Sequence, residues 1–155
     1  MLHHDGSWTH EGNPITHAKL RAHFDRHVRY LPEEQKYVVT LRHFRGEITV
    51  EEAAFFVRAF EPGSGLIELS DRSEETLDPA TLAPSPIDGA LLCRVKRALA
   101  LQAARSEPKA NEAHRVGLLA RFMPSAQADL LQAVDASPSG MRLRVAGVWH
   151  RLPEL

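Results

Sequence analysis

Cysteine is nearly missing from this sequence: Cys93 stands alone among 155 residues. A single thiol excludes an internal disulfide and any cysteine-rich zinc module. It also suits a reducing compartment. Aromatic side chains are scarce at 6%, so each Trp and Phe is first a candidate for a core. No run approaches the roughly 18 apolar residues that a membrane-spanning helix needs. The opening "MLHHDGSW" has neither a basic region nor an apolar stretch, so no secretory signal is expected and the expected location is cytoplasmic. An excess of one charge is missing too: 19 basic side chains meet 20 acidic ones, for a net charge of −1 with histidines neutral. That balance argues against an electrostatic nucleic-acid binder.

Catalytic signatures are equally thin. There is no Gly-x-Ser-x-Gly elbow and no phosphate-binding Gly-x-x-x-x-Gly-Lys. Glu51 and Glu52 are adjacent at a strand end, where neighbours point to opposite faces and cannot flank one substrate. The glycine clusters "EPGSG" and "SPSG" read as turns.

What is present is ordinary globular material, 43% hydrophobic and 25% charged, at a length that buries about two thirds of its unfolded surface. Residues 1–77 hold 9 basic and 13 acidic side chains, and residues 78–155 hold 10 and 7, so the halves carry −4 and +3. The expectation is one compact domain over 1–155, with halves 1–78 and 88–155 joined by the Pro-rich segment 79–87.

Histidine is the one plentiful special residue, and four of the nine fall in "DGSWTHEGNPITHAKLRAHFDRHV", residues 5–28. "GSWTH", "EGN" and "PIT" read as a short strand, a turn and a second short strand or helix entry, with Gly12 and Asn13 tolerating positive φ. Thr16 then caps a helix whose apolar face carries Ile15, Leu20, Phe24, Val28 and Leu31, ended by Pro32. Strands are expected at 36–41, 46–51, 54–60 and 65–70, in an antiparallel meander with that helix packed across it. In the second half, Asp88 caps a helix with the stripe Leu91, Leu92, Val95, Ala98, Leu99 and Ala103. "SEPKANEAH" (106–114) breaks it, "RVGLLARFM" is open between helix and strand, and 124–136 is helical. "MRLRV" and "GVWHRLP" close the chain as strands. The fold class expected is therefore α+β, an antiparallel sheet with a packed helix followed by a helix-richer C-terminal half ending in strands. Its core would take in Trp8, Leu20, Phe24, Val39, Phe55, Val57, Leu92, Val95, Leu131, Leu143 and Trp149.

Two site readings follow. In the first, Trp8, His10 and Asn13 gather in the opening turn region and face a crevice between the halves together with Trp149, as the ligand or partner site of a non-catalytic binding or regulatory domain. In the second, a metal-dependent hydrolase uses His10, His23 and His27 as ligands, with Glu11 or Asp25 as base. His23 and His27 share a helical face, yet the Glu that follows the first His in metalloproteases is here Phe24. The best electropositive features are the helix residues Arg94, Lys96 and Arg97 and the strand "RLR" with Arg142 and Arg144; both lack the interleaved aromatics of single-strand binders. The expected partner is a protein or a small molecule, neither nucleic acid nor membrane, and no cofactor is implied.

A resemblance sits on top of these residues. Asp5, Gly6, Trp8, Gly12, Pro14 and Ile15, followed by Val50, Glu51, Ala53 and Phe55, resemble the bacterial family catalogued as domain of unknown function 1285. Gly147, Val148 and Trp149 are similar to its C-terminal segment. Glu52 and Ala54 depart from its pattern, where Asp and Pro are expected. The opening hairpin is also similar to that of domain of unknown function 4505. The first resemblance implies a two-part α+β protein with a signalling or binding role and no catalytic residues to carry over.

Overall fold

Short strands separated by tight turns dominate the chain. The computed structural model describes residues 1–106 and 117–155, and among them fourteen strands form four sheets, with three α-helices. Strand takes 43% and helix 20%. The fold is therefore mainly β, and the expected α+β class with a helix-rich second half is overturned. Two compact units make up the chain, Met1–Phe55 with Lys96–Leu119, and Phe56–Val95 with Ala120–Leu155.

In the first unit, β1 (Thr9–His10) and β2 (Asn13–Pro14) form the hairpin read from "THEGNP". The two turn residues with positive φ are Glu11 and Gly12, not Asn13. Helix α1 (Ala18–His27) follows, capped by His17, whose Nδ1 accepts the Leu20 amide, rather than by Thr16. It ends five residues before Pro32, because Val28–Leu31 leaves as β3 and pairs with β4 (Lys36–Leu41), which pairs in turn with β5 (Phe44–Glu47). "VRYL" alternates Val28 and Tyr30 inward against exposed Arg29, a period of two that outweighs the helical spacing. No residue of α1 is fully buried, and Leu20, expected in the core, is exposed. Helix α2 (Arg97–Ser106) belongs to this unit and buries Ala100.

The second unit holds β6 (Phe55–Glu61), β7 (Leu66–Leu69), β8 (Glu74–Thr76), β9 (Ala83–Pro84), β10 (Leu91–Val95) and β11 (Leu118–Phe122), save for the first residue of β6 and the first two of β11. They form one sheet in the order β8-β7-β6-β11-β10-β9. Instead of one four-stranded meander, the strands before and after residue 50 thus enter different sheets. The stripe read as a helix from Leu91 is β10: "LLCRV" is buried at every position but Arg94, as a strand covered on both faces is. Lys96 takes a positive φ of 52° and separates this strand from α2, so a helix cannot run through it. The helix break expected over 106–114 lies, Ser106 apart, outside the described residues. Helix α3 (Pro124–Gln132) is shorter than expected and turns Ala126 and Leu130 inward, leaving Leu131 exposed. The chain closes with β12 (Val134–Ser137), β13 (Gly140–Val145) and β14 (Val148–Arg151), an antiparallel three-stranded sheet. The largest wholly buried side chains of this unit include Val57, Ile67, Leu69, Phe122, Leu130 and Leu143.

Candidate functional site

The closing sheet sorts its residues by face. On β13, Leu143 and Val145 are buried, and the alternate positions Arg142 and Arg144 face the other way. Register then fixes the neighbours. Arg142 stands between Asp135 of β12 and Arg151 of β14, while Arg144 stands opposite Trp149. The turn that brings Trp149 back beside Arg144 is Ala146-Gly147, both at positive φ, as a two-residue hairpin of matching twist requires.

Side chains close on one another across this face. Arg142 ion-pairs with Asp135 at 3.2 Å, and its guanidinium carbon lies 4.0 Å from the Trp149 ring centre. Its Nε is buried without a hydrogen-bond partner. The Arg144 guanidinium carbon lies 5.8 Å from the same ring. Arginine over an indole face is attracted by the ring quadrupole, by about 0.5–1 kcal/mol at an exposed site. Trp149 nonetheless keeps 41% of its surface exposed, so it is a surface residue rather than the core residue expected.

Beside this cluster is a cavity of about 530 Å³, lined by Pro62, Gly63, Gln132, Asp135, Arg144 and Trp149 among others. The loop after β6 forms one wall. It is tied to the closing sheet by the Ala146 amide, which donates to the Pro62 carbonyl at 2.9 Å. Gly65 makes that approach possible: a β-carbon there would come within 2.5 Å of the Val145 side chain, and its φ is +79°. The Glu61 carboxylate turns back on its own loop, accepting the Gly63 amide, the Ser64 amide and the Ser64 hydroxyl. These bonds hold its pKa below the ordinary range, the Ser64 hydroxyl most of all.

Trp8 is 3% exposed, lies 5.4 Å from the Phe24 ring and donates its indole N–H to Asp25 at 2.8 Å. It plugs the first unit beneath α1 and offers no ring face to solvent. His10 and Asn13 are exposed and face each other across the hairpin, with His10 4.0 Å from Glu11. Trp149 belongs to the second unit. Of the metal reading, His23 and His27 do come together, with ring centres 4.1 Å apart, and the His23 carbonyl sits 2.7 Å from His27 Nδ1. Among the described residues, no group of three or more His, Cys, Asp or Glu side chains could hold a metal ion. Cys93 is fully buried and its thiol is pushed up to about 12, chiefly by that burial, so it is no nucleophile.

Fold and site together define a mainly-β protein of two units, the second with a basic, Trp-bearing sheet beside a cavity. Its structure is similar to that of a DUF1285 family protein from Silicibacter pomeroyi DSS-3, with a TM-score of 0.59 and 17% identity, covering 97% of this chain and 77% of that chain. A DUF1285 family protein from Shewanella baltica OS155 gives a TM-score of 0.49 at 12% identity, covering 84% of this chain and 88% of that one. No family model matches the sequence, and no curated protein matches it. The chain has a DUF1285-type fold. No helix among the described residues is long and apolar enough to cross a membrane.

Proposed function

We propose that this protein is a non-catalytic binding module and that its ligand enters the cavity beside Trp149 and Arg144. The observation that carries this reading is the pairing of an exposed indole, braced by Arg142, with a second arginine on the wall of one cavity. Large aromatics and arginines are the residues that carry most binding energy where they are found at interfaces. A volume of about 530 Å³ falls within the range of small-molecule sites. The lining supports binding rather than turnover: its guanidinium, indole, amide and one carboxylate, already ion-paired with Arg142, include no nucleophile with an adjacent base. A regulatory role would follow from ligand occupancy of this unit.

The test is a thermal-shift screen of small metabolites against the wild-type chain and a Trp149→Ala variant. Ligands that raise the melting temperature of the first and leave the second unmoved support the reading. Hits that shift both chains equally place the site elsewhere and end it, as does a complete absence of hits.

A further inference from the structure

Charge on the closing sheet is unbalanced in a specific way. Asp135 is matched by Arg142, at 3.2 Å. Arg144 pairs with no carboxylate among the described residues, and its guanidinium lies against the Trp149 ring. Arg151 stands directly across from Arg142 in the β13–β14 register, a like-charge pair. Like charges placed opposite one another on adjacent strands destabilise a sheet. Three guanidinium groups against one carboxylate thus share a face that folding alone would not favour.

Resting on the binding reading above, we infer that the cavity takes a small molecule in which a flat ring carries a carboxylate or phosphate group. Arg144 supplies the anion contact, since a guanidinium offers a planar fork of donors that matches either oxyanion. Trp149 supplies the ring contact, by offset stacking or edge packing. Arg142 does not line the cavity; it backs the indole and is itself held by Asp135, so the aromatic wall is braced before a ligand arrives. Gly63 and Gly147, also in the lining, add no side chain to the wall. Rigid walls reduce the ordering cost of binding.

Calorimetric titration of the full chain tests this with 1-naphthoate and adenosine monophosphate as ring-plus-anion probes. Their neutral counterparts are 1-naphthamide and adenosine, and inorganic phosphate and acetate supply the anion alone. The expected result is that at least one ring-plus-anion probe binds tenfold or more tightly than both its neutral counterpart and the bare anion. A preference for adenosine monophosphate assigns phosphate, and a preference for naphthoate assigns carboxylate. Arg144→Gln should erase the advantage of the charged probe while leaving the neutral one unchanged, with Arg144→Lys in between. Trp149→Ala should weaken both. Arg144 is exposed, and an unchanged melting curve for Arg144→Gln confirms that the variant is folded. Equal binding of charged and neutral probes overturns the anion assignment and leaves the binding reading standing. No binding of any probe overturns it too, and the screen above then decides whether the cavity binds at all. A single-stranded oligonucleotide that binds more tightly than adenosine monophosphate overturns the small-molecule assignment.

Discussion

The indole N–H of Trp8 donates to the Asp25 carboxylate at 2.8 Å, joining the opening hairpin to α1. Trp8 is 3% exposed, so this donor has no ready replacement in water. A helix with no fully buried residue needs such an anchor, because its packing alone holds it weakly. Asp25→Ala should cost about 1–3 kcal/mol, the penalty of a buried donor left without its acceptor. Urea unfolding measures it, and Asp25→Asn, which keeps a carbonyl oxygen, should recover part of the loss.

The two phenylalanines Phe24 and Phe122 separate a surface helix from a true core. From helical spacing alone, Phe24 reads as a core residue whose replacement by Ala costs about 3–5 kcal/mol. It is in fact half-buried and packs on Trp8, whereas Phe122 is 2% exposed. Phe122→Ala should therefore cost about 3–5 kcal/mol, and Phe24→Ala less, about 1–3 kcal/mol, in the ordinary range of point substitutions. Equal losses in parallel denaturant titrations would contradict this ordering.

These differences show what the sequence carried. The opening hairpin was legible because Gly12 and Pro14 bound it on short range, and β4 was legible because "KYVVTL" has no competing period. The strand "LLCRV" was not, since a strand buried on both faces has no alternation and its apolar run fits a helix equally well. The signal that decides it is conformational: Lys96 at positive φ, which no residue type announces. At the candidate site, Arg142 and Arg144 stood out as an electropositive pair and Trp149 as a binding aromatic, but separately. Only the Ala146-Gly147 turn and the register it sets bring Trp149 beside Arg144. The cavity wall at Pro62 lies 82 residues before Arg144 in sequence, beyond the reach of local pattern.

Acid should weaken the fold. The Glu51 carboxylate accepts the His4 amide at 2.8 Å and sits 3.0 Å from His4 Nδ1; these contacts, the amide bond first, lower its pKa from the ordinary 4.5. Asp5 is lowered by the Ser7 hydroxyl and then the Ser7 amide, and Glu61 by the Ser64 hydroxyl. Each group holds its proton less tightly folded than unfolded. Their contribution is thus complete above the ordinary carboxylate range and is lost as pH falls through the lowered folded values. The melting temperature should decline steadily from pH 5 to pH 3, and Glu51→Gln should flatten that decline. A melting temperature that rises on acidification would refute the sign.

The last fifteen residues should prove indispensable. Truncation after Gly140 removes all but the first residue of β13 and the whole of β14, leaving β12 as a strand without a ladder. It also strips out Leu143 at 0%, Val145 at 5% and Leu152 at 7% exposure. Each buried Leu deleted from a core costs about 2–5 kcal/mol, so two of them with a Val approach the whole stability of a typical domain, about 5–15 kcal/mol. Val145 also packs against Gly65, so its loss loosens the β6–β7 loop that walls the cavity. The truncated chain should be insoluble or molten, binding a hydrophobic dye and showing no cooperative melt. A soluble product with the full-length melting temperature would show instead that the closing sheet is an appendage and the second unit stands without it.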